Sequence, residues 1–299
     1  MGLGVGLGFM SRRVATTLAG PEGEAPAART VDLKAIEAAI ADKQATVTWV
    51  GHSTLLVTLD GMTFLTDPTW SHTASPLPVG PRRFVDPALD IDDLPPVDFV
   101  VVSHNHYDHL DLATLELLAA RGTRIFMPLA NAYLLEGRGL ERITEMDWWD
   151  SVEVGNLRVH CVPARHWSRR GLMDRDRSLW SGWVIESNDR RFYFAGDTAE
   201  FSGFEEIRRR IGAPDLAAIP IGAYDPPEIM QPSHLNPEEA VAALEQLDAN
   251  QSLAVHFGTF DLSDEPIDEP PRRFRAASDA AGRGEDRDWI FEVGETRAW

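Results

Sequence analysis

The sequence predicts an α/β fold in which two β-sheets pack on each other and helices cover their outer faces. Three observations predict it. Strand pairs rich in β-branched residues come first, later strands alternate with helices, and the two halves of the chain are similar in kind without a residue-level repeat. No Pro/Gly/Ser-rich linker divides the body, so one domain is expected over residues 31–299, behind a disordered or weakly ordered leader over 1–30.

The elements follow in order. Asp32 stands as N-cap of an Ala-rich helix ending near Lys43. Residues 46–50, 53–59 and 62–66 read as strands, the last two joined by the hairpin signal Asp60-Gly61. Pro68, Pro76, Pro78 and Pro81 mark a long loop. Residues 97–103 form an apolar run that reads as a buried strand, followed by a helix over 111–120 and a short strand over 124–127. A helix is expected over 130–136. Strands are expected over 151–154 and 157–162, around Gly155-Asn156, and over 181–186 and 191–194, around Asn188-Asp189. A helix over 204–211, a buried strand over 216–221, a helix over 237–247 capped by Asn236, and a strand over 253–257 continue the alternation. A helix over 272–281 and a last strand over 289–293 close it.

The net charge of −19 argues against nucleic acid, whose phosphates need a basic surface. It also disfavours long-range attraction to anionic lipid, so peripheral membrane contact would need apolar side chains or a local basic patch. No apolar run is long enough to span a bilayer. The single cysteine, Cys161, lies in an alternating segment and reads as a small core residue. With no disulfide framework, the cytoplasm is the default compartment. Residues 2–20 place Arg12-Arg13 between two weakly apolar stretches, the wrong order for a secretory signal and a poor twin-arginine signal.

The chemistry concentrates directly after the strand at 97–103. His104, His106, Asp108 and His109 put four metal-binding side chains within six residues. Imidazole nitrogen and carboxylate oxygen are what zinc and similar borderline metals take. His166, Asp197 and His256 also fall at or just past strand ends, where ligands collect in α/β sheets.

In that order these residues resemble the metallo-β-lactamase fold, and further segments resemble the family of N-acylphosphatidylethanolamine-hydrolysing phospholipases D. They include Trp49-Val50-Gly51-His52-Ser53-Thr54, Leu65-Thr66-Asp67-Pro68, Pro163-Ala164-Arg165-His166-Trp167, Pro220-Ile221-Gly222-Ala223-Tyr224, His234-Leu235-Asn236-Pro237 and Val255-His256-Phe257-Gly258. The resemblance runs from about residue 46 to 262 and implies a four-layer αββα sandwich. It implies two divalent metal ions, zinc by preference with manganese or iron as alternatives. One would take His104, His106 and His166, the other Asp108, His109 and His256, with Asp197 between them. Two such ions acidify a shared water and stabilise attacking and leaving oxygens, and Asp108 would help to orient that water.

Other residues carry open readings. His234 is a hydrogen-bond donor to a phosphate oxygen, a proton donor to a leaving alkoxide, or simply the residue before the Asn236 cap. Tyr224 lines the pocket or packs as an aromatic. His52 and Asp67 read as supports for ligand side chains or as ordered loop residues. Trp167 and Arg169 belong to a basic, aromatic segment with Arg170, Arg175, Arg177 and Trp180, which either meets a phosphate-bearing lipid headgroup or is a solvated loop. The expectation is a dinuclear metal-dependent hydrolase, a phosphodiesterase of phospholipase D type acting on a lipid or other small molecule. Alternatives are a lactonase or other ester hydrolase, and a non-catalytic metal-binding protein.

Overall fold

The computed structural model describes residues 22–77 and 79–299; the expectations for residues 2–20 lie outside them. Strands β1 (Thr46–Gly51), β2 (Thr54–Leu59), β3 (Met62–Thr66), β4 (Phe99–Val101), β5 (Arg124–Pro128), β6 (Ile143–Met146) and β14 (Thr296–Ala298) form one sheet, in the order β14-β1-β2-β3-β4-β5-β6. Strands β7 (Ser151–Val154), β8 (Leu157–Val162), β9 (Gly182–Glu186), β10 (Arg191–Phe194), β11 (Leu216–Pro220), β12 (Gln251–Val255) and β13 (Asp288–Trp289) form the other, running β13 to β7 in reverse order. Each sheet is half antiparallel and half parallel. Pairing turns parallel at β3–β4 in the first sheet and at β10–β11 in the second.

Period-2 alternation explains the layering. Trp49, Leu55, Val57, Phe64, Phe99 and Phe126 point at the second sheet and join its Val159, Trp183, Ile185 and Phe192 in one core. The intervening residues Val50, Leu56, Leu65, Val100 and Ile125 face the other way, into a second core under α1 (Leu33–Ala41) and α2 (Leu112–Ala120). The Phe64 and Phe192 rings meet edge to face at 5.6 Å between the sheets. Helices α3 (Gly203–Arg210), α5 (Pro237–Leu247) and α6 (Glu269–Ala280) cover the outer face of the second sheet through Phe204, Leu244 and Phe274. Short helices α4 (Pro227–Met230) and α7 (Gly284–Arg287) complete the α-helices among the described residues. Full burial of both faces is why β4 and β11 read as unbroken apolar runs.

Local signals account for the starts of α1, α2 and α5. Asp32 and Asp111 accept hydrogen bonds from Ala35 and Ala113 at the first turns of α1 and α2. Asn236 and Glu239 form a reciprocal capping box at α5, with Pro237 at the first helical position.

Several expectations are corrected. The helix expected over 130–136 is a 3-10 turn, Ala132–Leu135. Of the strand expected over 289–293 only Trp289 joins the sheet, with Asp288, while Val293 forms an isolated bridge with Ala28 and the last strand is β14, which adds to β1. β6, with one fully buried residue in four, carries no apolar pattern and was not anticipated. The run over 97–103 pairs in register only at Phe99–Val101, because the Ser103 amide leaves the ladder to donate to the Asp67 carboxylate at 2.6 Å. Residues 22–30, expected to belong to the leader, are tied down: Arg29 and Ala27 exchange backbone hydrogen bonds with Val293, and Ile267 donates to Glu22. Cys161 is buried, and burial pushes its thiol up to about 12, as suits a core residue.

Candidate metal centre

The strand ends of the two sheets meet along one rim. His104, His106, Asp108 and His109 follow β4, His166 follows β8, Asp197 follows β10 and His256 follows β12. His104 Nε2 lies 2.8 Å from His106 Nδ1, and His166 Nε2 lies 3.2 Å from the same atom. These three imidazoles converge as one donor set. Asp108, His109 and His256 converge as a second, with Asp108 Oδ2 at 3.3 Å from His109 Nε2 and 3.5 Å from His256 Nε2. Asp197 reaches both. Its Oδ2 is 3.9 Å from His104 Nε2, 3.8 Å from His166 Nε2 and 3.2 Å from His109 Nε2, while Oδ1 is 3.2 Å from His256 Nε2.

Outer contacts aim these rings. Asp67 Oδ2 accepts from His109 Nδ1 at 2.6 Å, leaving the Nε2 lone pair to face the cluster. Ser103 Oγ donates to Asp67 Oδ2 at 2.6 Å and lies 2.9 Å from His104 Nδ1. The Ser233 carbonyl accepts from His166 Nδ1 at 2.8 Å. His52 is kept neutral because burial pushes its pKa down to about 3, so its Nε2–H donates to Asp108 Oδ2 at 3.1 Å. His52 also belongs to the convergent set around Asp108, closer in than a remote support.

The donor set fits divalent cations. Nε2 of His109 and His256, together with Asp197 Oδ1, are buried without a hydrogen-bond partner, and orphaned polar atoms are rare in protein interiors. Burial lowers the pKa of His106 to about 4 and holds His104 and His166 well below the ordinary value, so these imidazoles present lone pairs. Burial also opposes charge on His256, yet Asp197 and Asp108 outweigh it and raise its pKa to about 9; the same carboxylates raise His109. The space between these groups therefore favours positive charge, and metal ions supply it while using the lone pairs.

His234 comes from the loop between α4 and α5. Its Nδ1 is buried, has no hydrogen-bond partner and lies 3.9 Å from Asp197 Oδ2. It opens onto a cavity of about 270 Å³ that Tyr224, Gln231, Glu239 and Arg273 also line. Tyr224 forms wall rather than handle, since its hydroxyl donates to Glu269 at 2.8 Å and its ring lies under Arg273. The Trp167 ring meets the His106 ring at 4.3 Å. Arg169 is exposed, and its Nε donates back to Gly171 O in its own loop rather than toward the cluster.

Sequence reasoning did not single out Ser103, which clamps Asp67 and His104; a serine beside a histidine has no distinctive signature. Nor did it separate Arg170 from its exposed neighbours. Arg170 donates to Asn105 O and Leu110 O, while Tyr107 donates to Arg170 O, tying the 104–110 loop to the 166–170 loop.

Two mixed sheets between helices, with histidines and aspartates gathered on one rim, define the metallo-β-lactamase fold. A family model described as the beta-lactamase superfamily domain matches residues 62–257, and the chain belongs to that superfamily. It is 39% identical over 263 residues to N-acyl-phosphatidylethanolamine-hydrolyzing phospholipase D 1 of Caenorhabditis elegans, covering 83% of this chain and 74% of the relative. It is 31% identical over 228 residues to a metal-dependent hydrolase of Caldivirga maquilingensis, covering 76% and 86%. Among solved structures, the metallo hydrolase Igni18 of Ignicoccus hospitalis superposes with a TM-score of 0.66 at 24% identity, covering 86% of this chain and 98% of its own. This protein is a metal-dependent hydrolase of the metallo-β-lactamase fold.

Proposed function

We propose that this hydrolase is a phosphodiesterase of phospholipase D type, acting on an N-acylphosphatidylethanolamine to give phosphatidic acid and an N-acylethanolamine. The observation that carries the substrate class is the similarity to the nematode phospholipase D, which extends over 83% of the chain. His104, His106 and His166 would hold one ion, Asp108, His109 and His256 the other, and Asp197 would serve both. Ions so held supply Lewis acidity: they offset charge on phosphoryl oxygens and acidify water.

The chain's own groups do the rest. Water adds to phosphorus, the P–O bond to the N-acylethanolamine oxygen breaks, and the leaving alkoxide takes a proton. Asp108, fixed by the His52 hydrogen bond, would orient the attacking water. Burial lowers the His234 pKa to about 4, and nearby cations would push the same way. His234 is therefore neutral near pH 7. It acts as a hydrogen-bond donor to a phosphoryl oxygen, not as a stored acid.

The test offers the purified, zinc-loaded protein an N-acylphosphatidylethanolamine in mixed micelles and, in parallel, a long-chain lactone. Phosphatidic acid and N-acylethanolamine in equal amounts are expected. Turnover of the lactone alone overturns the phosphodiesterase reading. Substoichiometric metal after reconstitution, with no turnover of either, overturns the enzyme reading.

A further inference from the structure

Leu172 and Met173 are each 89% exposed, more than any other large hydrophobic side chain among the described residues. They stand side by side at the tip of the loop over 168–178. The loop is closed at its base, where Ser168 Oγ donates to Ser178 O at 2.6 Å and Asp176 N donates to Ser168 O at 2.8 Å. It is pinned near its tip, where the Asp174 carboxylate accepts from the amides of Gly171 and Arg170. The apolar pair is thus presented by an ordered turn. Tyr133 and Leu129, both exposed, adjoin it, through a Tyr133–Asp174 hydrogen bond and a Leu179–Leu129 backbone bond.

Charge singles out the same loop. Residues 169–177 hold four arginines and two aspartates in a chain of net charge −19. One of those aspartates, Asp174, is engaged by backbone amides, and Arg169, Arg175 and Arg177 are exposed. The loop also begins at the candidate centre, since it leaves His166 and Trp167, whose ring rests on His106.

We propose that the 168–178 loop docks on an anionic phospholipid bilayer, inserting Leu172 and Met173 among the acyl chains with Arg169, Arg175 and Arg177 at headgroup level. A protein partner would need a broad complementary face of roughly 800 Å². Two protruding apolar side chains ringed by cations suit a fluid surface that they can penetrate. The proposal deepens the lipid phosphodiesterase reading and rests on it for its purpose, because docking here sets the bilayer against the rim. Docking itself is measured without turnover.

Cosedimentation with vesicles of phosphatidylcholine and phosphatidylserine in equal parts tests it, against vesicles of phosphatidylcholine alone. The wild-type protein is expected to bind the anionic vesicles more tightly, and less so as salt is raised. The double variant Leu172→Ser/Met173→Ser is expected to lose at least about tenfold in partitioning, from the apolar area it no longer buries. Its circular dichroism, metal content and turnover of soluble bis(para-nitrophenyl) phosphate should match wild type. No preference for anionic vesicles, or equal partitioning of the variant, overturns docking. A wild-type protein that ignores vesicles but self-associates, with association lost in the variant, also overturns it and makes a second copy the occupant. A protein that binds vesicles through this pair, yet fails to hydrolyse the lipid in micelles, keeps the docking loop and refutes the phosphodiesterase reading.

Discussion

Asp67→Asn tests how the rim is aimed. Asp67 is fully buried and accepts three short hydrogen bonds of 2.6 Å, from Ser103 N, Ser103 Oγ and His109 Nδ1. Asparagine keeps the shape but has one acceptor oxygen. With that oxygen on the Ser103 amide, the NH₂ group faces His109 Nδ1, which must then become an acceptor. The ring proton moves to Nε2, where it points at Asp108 and Asp197, 3.3 and 3.2 Å away. His109 then donates to carboxylates instead of offering a lone pair. Loss of such an orienting contact typically costs about 10–100-fold in metal affinity, or about 1.4–2.7 kcal/mol. Alanine would be a poorer probe, since it strands the Ser103 amide without an acceptor, a further penalty of about 1–3 kcal/mol. The assay is competition of the stripped protein with a chromophoric chelator for zinc. One of the two proposed sites should weaken by this factor and the other change little. Two sites within about twofold of wild type would refute the tautomer argument, as would equal weakening of both with a fall in Tm.

Three further outcomes are expected. Gly196→Ala, beside Asp197 at φ +60, places a Cβ 2.5 Å from Ser103 Cβ and 2.9 Å from Ser181 O; it should destabilise by about 1–3 kcal/mol in denaturant melts and lower metal stoichiometry. Chelation should abolish turnover and lower Tm, because ions bound only by the native state stabilise by about 4 kcal/mol at a thousandfold excess over Kd; unchanged Tm would contradict a structural share for the centre. Burial lowers the pKa of His160, beside Glu186 and away from the rim. Below its ordinary value of about 6.5 the unfolded chain therefore binds more protons, so stability falls as pH drops through that window. His160→Gln should flatten that part of the urea-midpoint profile relative to wild type, and identical profiles would refute the assignment.

What the sequence made legible follows from period and chemistry. β2 and β3 were readable because β-branched residues flank a turn dipeptide, and α5 because Asn236, Pro237 and Glu239 spell a capping box. β6 was not, because a half-exposed strand with a mixed pattern looks like loop. β14 was not, because it owes its strand state to β1, nearly the whole chain away. At the rim, histidines and aspartates announce themselves by type. The groups that aim them do not: Ser103, the Ser233 carbonyl and Arg170 act through geometry that only the folded chain supplies. Arg169 illustrates the converse, a residue of suggestive type whose side chain turns back on its own loop.

The division between chemistry and choice of substrate is built into the topology. The two donor sets hang on the ends of β4, β8, β10 and β12, all interior to their sheets, each strand paired on both sides. The ligands lie in short segments leaving these strands, whose Phe99, Cys161, Phe194 and Val255 are all at 0% exposure. The surrounding walls are different in kind. Tyr224 and His234 sit in the loops after β11 and α4, tied down by a few side-chain and backbone hydrogen bonds such as Tyr224 to Glu269. A substitution there perturbs little of the core, so the cavity can be reshaped while the donor sets stay where the sheets put them. The first motif, His104 to His109, therefore specifies a hydrolytic centre, and the identity of the bond it cleaves depends on loops that the sheets do not constrain.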